Sequence, residues 1–177
     1  MAKQDINIGT APNDGTGDPL RTAFDKTNDN FTELYNATGW NKIYEATTQT
    51  LVSGDNLITI SGTIESNGTI TLLDANGKVT PVQINDMIAV DFGCTVVTPA
   101  TTNQWVKTWY NVNGTSYRAI TTPLIKGSGV DHEISISGIL PVGADFNTNG
   151  LEVYIEASTG LDIKDKYINA GRIHLAI

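Results

Sequence analysis

The spacing of apolar positions along this 177-residue chain changes once, close to Trp40. Upstream, Leu20, Phe24, Thr27, Phe31 and Leu34 follow at steps of four, three, four and three, the a/d spacing of a heptad seam. The positions between them include the charged Arg21, Asp25, Lys26, Asp29 and Glu33. This predicts an amphipathic helix over about residues 19–37. Asp18 is placed to cap it, its carboxylate accepting from first-turn N–H groups. Pro19 suits the first helical position, where an N–H would be unpaired anyway. Thr38 and Gly39 end the helix, the glycine as a left-handed cap. Ile6 to Gly9 read as a short strand, joined to the helix by a loop of Gly, Pro, Asn and Asp. Such a helix is marginal alone in water, so its stripe needs either its own domain or copies of itself around a symmetry axis. Thr27 in the seam and the short length argue against a free-standing coiled coil. A short bundle anchored to a larger trimeric body fits better.

Downstream the period drops to two, the alternation of strands. Asn67-Gly68 predicts a hairpin between "TIES" and "TITLL", because a tight type I′ turn needs positive φ at both central residues. Asp74 to Gly77 predict the next turn, and Asn113-Gly114 a second hairpin within "QWVKTWYNVNGTSYRAIT". "DMIAVDFGCTVV" is nearly continuous in apolar residues, which predicts a strand buried on both faces. "HEISISGIL", "LEVYIEAST" and "GRIHLAI" supply further strands, the last ending apolar at Ile177, as a strand tucked into a core or interface would. Roughly eight strands with regular turn signals and no internal repeat predict a mainly β chain with an antiparallel, jelly-roll-like β-sandwich. The expected division is residues 1–42 as an N-terminal docking and trimerisation segment (strand, loop, helix) and residues 43–177 as the sandwich.

Composition leaves two readings of the surface open. Charged residues make up 17% of the chain and hydrophobic residues 40%. Thr, Asn, Ser and Gly in place of charge suit contact between subunits, and equally an all-β protein with many turns. A net charge of −8 with 11 scattered basic residues disfavours a nucleic-acid partner. No apolar stretch is long enough for membrane insertion. The start lacks a signal-peptide core, so synthesis and assembly in a cytosol are expected.

Candidate chemistry is sparse. "NDGTGDP" suggests a phosphate loop, but Gly17 is followed by Asp18 and Pro19, with no Lys-Ser/Thr ending. Leu20 stands where a dinucleotide loop needs its third glycine, and Asp18 would repel an anion at the helix N-terminus. Asn13, Asp14 and Asp18 offer oxygens for calcium without EF-hand spacing. Cys94 sits in an apolar run, as an inert thiol does. His132 points away from Asp131 and Glu133 on a strand, so they form no zinc site, and His174 reads as structural. Ser128 in "GSG" lacks the frame of a nucleophile elbow. No catalytic residue, cofactor or metal is therefore expected. Trp105, Trp109, Tyr110 and Tyr117 form an aromatic group across the second hairpin. It is either a packed face or a stacking platform for a host-surface glycan.

One resemblance rests on Ile6-Asn7-Ile8-Gly9, on Asn13 through Arg21, on Phe24, and on Asn28-Asp29-Asn30-Phe31-Thr32-Glu33-Leu34-Tyr35. This segment resembles one that recurs in tail-fibre and other virion structural proteins of tailed bacteriophages. The resemblance implies a non-enzymatic homotrimer in the virion, with this segment near the attachment end. Two roles follow as expectations. One is a trimeric capsid decoration, cement or head-spike protein bound to a major capsid protein. The other is a tail-fibre or tail-associated component bound to a tail or baseplate protein, with glycan recognition at the host surface.

Overall fold

The computed structural model of the chain describes residues 4–11, 14–36, 38–67, 70–81, 83–99, 104–124, 127 and 129–173, and for residues 33–36 and 38 the backbone alone. Helix α1 (Leu20–Asn36) is followed by β1 (Thr38–Glu45), β2 (Gln49–Leu51), β3 (Gly54–Ile58) and β4 (Ile64–Asn67). After them come β5 (Met87–Val97), β6 (Trp105–Val112), β7 (Thr115–Pro123) and β8 (Asp131–Pro141). Helix α2 (Ala144–Asn149), β9 (Glu152–Ala157) and β10 (Leu161–Ile173) complete the order. One sheet runs β4-β1-β10-β5-β8, with β2 also paired to β10; the other runs β3-β9-β6-β7. Every pairing between these strands is antiparallel. The fold is mainly β, a two-sheet sandwich of the expected class. The expected division at residue 42 falls inside β1, which pairs with β10 from Thr38 to Glu45.

The core lies between the sheets. Ile43, Ile88, Val90, Phe92, Val96, Ile136 and Ile168 come from the larger sheet and Val106, Tyr110, Val153 and Ile155 from the smaller, all buried. Tyr110 ties the layers together: its hydroxyl donates to Ile136 O at 2.6 Å and lies 3.2 Å from Val90 O. Satisfying that hydroxyl on the opposite sheet's backbone lets a phenol sit wholly inside. Two ion pairs close the ends. Arg172 Nε donates to Asp86 at 2.6 Å, and Lys166 Nζ lies 3.1 Å from Glu45. Lys166 faces inward because the register of β10 shifts between Lys164 and Tyr167, with Asp165 at φ 50°.

Several sequence expectations hold and several do not. The Asn113-Gly114 hairpin forms with φ of 48° and 82°, and sets Tyr110 opposite Tyr117. The Asp74 to Gly77 turn forms through Asp74 N–H to Lys78 O and Gly77 N–H to Asp74 O. The "TIES"/"TITLL" hairpin does not form. β4 pairs with β1 instead, Ile43 facing Ile64, and Gly68 and Thr69 lie outside the described residues. The segment after it is held by the buried amide of Asn41, which accepts from Leu72 N–H and donates to Ile70 O. β5 is buried along one face, and on the other only Gly93, against the Tyr167 ring, is buried. Ile88, Val90, Phe92, Cys94 and Val96 are buried, while Met87, Ala89, Asp91, Thr95 and Val97 are half-buried. The last strand begins at Leu161, well before "GRIHLAI", and a bulge between Lys164 and Tyr167 interrupts its alternation; His174 through Ile177 lie outside the described residues. Helix α2 is too short to show a helical period in the sequence. It buries Phe146 and ends at Gly150 (φ 70°), where a Cβ would stand 2.7 Å from Val79 O.

Candidate assembly interface

The strand expected at Ile6 to Gly9 does not form, because this segment bonds to the loop and helix rather than to a sheet; it folds back along the charged side of α1. Gln4 and Asn30 exchange two hydrogen bonds, Gln4 N–H to Asn30 Oδ1 and Asn30 Nδ2 to Gln4 O, each 2.9 Å. Gln4 Nε2 donates to Asp29 at 2.8 Å. Lys26 Nζ donates to Asp5 O at 3.0 Å and to Asp18 Oδ2 at 2.7 Å. Asp18 lies just ahead of the helix, and Pro19 O accepts the first turn's bond from Ala23 N–H. Pro19 is thus the cap position by geometry. The Asp18 carboxylate is used otherwise than expected, taking Asn7 N–H at 2.9 Å as well as Lys26. The pairing with Lys26 and the Asn7 N–H lower its pKa.

The loop is wound on Asp14, which accepts from the N–H groups of Thr10, Ala11 and Thr16 and from the Thr10 hydroxyl. Those donors, led by Thr16 N–H, hold its carboxyl far below the usual carboxylate range. Gly9 (φ 79°) is required here, since a Cβ would meet Asp14 Oδ1 at 2.7 Å. The donors on Asp14 are the chain's own, three backbone N–H groups and the Thr10 hydroxyl. Asn13 lies outside the described residues.

With its charged side clipped, the helix leaves its seam open. Leu20 is 74% exposed, Phe24 61% and Phe31 54%, while Thr27 is half-buried and donates to Ala23 O. The side chain of Leu34 lies outside the described residues. Among residues 20–32 no side chain is buried, so the sandwich does not cover this stripe. Ile6 and Ile8 of the extended segment are exposed as well.

The four aromatic residues of the second hairpin do not make one platform. Tyr110 is in the core, where burial pushes its hydroxyl pKa up, and Tyr117 is exposed on the edge strand β7. Trp105 and Trp109 share the outer face of β6, but Trp109 is itself buried. Tyr154, its cross-strand neighbour on β9, stacks on Trp109 at 5.7 Å between centroids and 20° between planes, and Lys107 Nζ lies 5.4 Å from the Trp109 ring. Strand alternation turns Tyr110 to the face opposite Trp105 and Trp109. Tyr154 could not be found from the sequence, because its pairing with Trp109 joins distant segments.

The other candidates stay apart. Cys94 is buried and its thiol is pushed up to about 12 by desolvation. His132 Nε2 is enclosed and unpartnered among the described residues, and Asp131 pairs with Lys164 at 2.8 Å. Among the described residues no group of three or more His, Cys, Asp or Glu could hold a metal ion, and no helix is long and apolar enough to cross a membrane. Ser128 lies outside them.

The seam of α1 thus lies open beside the β-sandwich, and sequence similarity places the chain in a group. The family described as Bacteriophage T4 gp9/10-like protein, N-terminal, matches residues 3–139. The chain belongs to this family. As a T4 gp9/10-like protein it is a structural component of the virion of a tailed phage, in line with the resemblance carried by its first 35 residues. The baseplate wedge protein gp10 of Enterobacteria phage T4 is 33% identical over 138 residues, covering 76% of this chain and 21% of that protein. The chain thus spans about a fifth of that curated relative's length. Among solved structures, the Eiger TNF of S. frugiperda superposes with a TM-score of 0.51 at 6% identity, over 78% of this chain and 94% of the other. The PRD1 vertex protein P5 does so with a TM-score of 0.50 at 12% identity, over 77% and 73%. At such identities the likeness is one of fold.

Proposed function

We propose that this T4 gp9/10-like chain is a non-enzymatic, homotrimeric component of the phage tail, placed in or on the baseplate. The segment up to the end of α1 acts as the docking and trimerisation part, with Leu20, Phe24, Thr27, Phe31 and Leu34 on its contact side, and the sandwich from β1 onward forms the body. The observation that carries this reading is the exposed seam of α1, whose opposite side has Lys26, Asp29 and Asn30 bonded to the N-terminal segment and loop. Apolar stripes of this kind are stable when covered, and three copies around one axis cover each other. The relationship to a baseplate wedge protein favours the tail role over a head decoration. The partners are then further copies of the chain and neighbouring baseplate proteins.

Gold-labelled antibody against the sandwich, applied to intact particles and to separated heads and tails, tests the location. Label at the tail end with tens of copies or fewer per particle is the expected result. Label over the head, with hundreds of copies, overturns it.

A further inference from the structure

We propose that the outer face of the six-stranded sheet carries a carbohydrate-binding groove built on Trp40. Residues directly opposed in neighbouring antiparallel strands share a face. One row across β1, β10, β5 and β8 reads Trp40, Gly171, Ala89, Ile139. The next row on that face reads Lys42, Asn169, Asp91, Ser137. Gly171 and Ala89 add almost no bulk, so the sheet is hollow between the indole and Ile139. The result is an open groove of about 890 Å³, the size of a small-ligand site. Trp40 is 42% exposed, so its ring is available. None of Trp105, Trp109, Tyr110 and Tyr117 lines it.

The two rows decide the occupant. The first is apolar and shaped, with one aromatic face. The second, about 7 Å away, presents a cation, an amide, a carboxylate and a hydroxyl, and Arg118 of β7 adds a second cation to the lining. Asn169 Nδ2 lies 3.3 Å from Asp91 Oδ2, a long contact that leaves capacity on both groups. A pyranose has the same division, a C–H face that stacks on an indole and a rim of hydroxyls that needs both donors and acceptors. An apolar helix laid here would strip water from Lys42, Asn169 and Asp91 and return no hydrogen bonds. A nucleic acid would meet Asp91 and a chain of net charge −8.

The test uses the full chain. Tri- to pentasaccharides of glucose, galactose, N-acetylglucosamine and a uronic acid are screened by saturation-transfer NMR, and affinities follow from tryptophan fluorescence. At least one sugar is expected to bind, with Trp40→Ala weakening it about tenfold or more. Ala89→Leu fills the hollow without touching the polar row, and it is expected to abolish binding while circular dichroism stays unchanged. Absence of transfer to every sugar overturns the proposal. So does wild-type affinity in Ala89→Leu, which would put any binding elsewhere. Hydrogen exchange showing this face protected by self-association, unaffected by sugar and lost in Ala89→Leu, assigns it to a second copy and also overturns the proposal.

Discussion

Replacing Phe24 and Phe31 together by Asp tests the seam directly. The two rings are 61% and 54% exposed in the single chain. Full burial of such a side chain contributes about 1.5–3 kcal/mol, so covering what remains exposed on both is worth roughly 2–3 kcal/mol per chain and roughly 5–10 kcal/mol per trimer. The midpoint concentration of a monomer–trimer equilibrium moves with the square root of its constant, so losing that burial shifts the midpoint by roughly two to four decades. Desolvating the added carboxylates adds to the loss. Sedimentation equilibrium over a wide concentration range reads the midpoint, and far-UV circular dichroism reads the sandwich. The expected result is a monomeric double variant with its β signal intact, because no described side chain of α1 is part of the core. Arg21→Ala, on the charged side, is the matched control and should leave the midpoint in place. A double variant that assembles at the wild-type midpoint refutes the reasoning, as does a wild-type chain that stays monomeric throughout.

Three further outcomes are expected. Glu45→Ala leaves Lys166 buried without its carboxylate and should cost about 3–5 kcal/mol in urea unfolding. Burial raises the Glu45 pKa, but hydrogen bonds from Thr47, Ser61 N–H and Lys166 outweigh it and hold it below its ordinary value. A depressed carboxylate stabilises above its unfolded pKa and ceases to as pH falls through its folded one, so the wild type should lose stability in that acid window more than Glu45→Ala does. Tyr110→Phe removes the donor shared between Ile136 O and Val90 O and should cost about 1–3 kcal/mol by the same measurement, with the fold retained. Asp14 is held down by loop N–H groups, so the loop should stay wound well below the usual carboxylate range. Amide shifts of Thr10, Ala11 and Thr16 followed by NMR should change only in strong acid, and a transition near the ordinary Asp pKa contradicts the geometry.

What the sequence determined by itself was local. The helix, its seam, the Asn113-Gly114 hairpin and the two-residue alternation depend on spacing and on which residues tolerate positive φ, and all are written in neighbouring positions. The reuse of Asp18 was not, because the competing donors, Asn7 N–H and Lys26 Nζ, come from both sides of the loop. The "TIES" strand followed its tertiary partner β1 rather than the turn beside it, since strand pairing is settled by burial across the sheet. The inward turn of Lys166 came from a bulge that a period-two reading cannot see. The groove at Trp40 required four strands from separated parts of the chain to be set side by side. Only the packed fold could decide which small residues, Gly171 and Ala89, would lie next to that ring and leave room there.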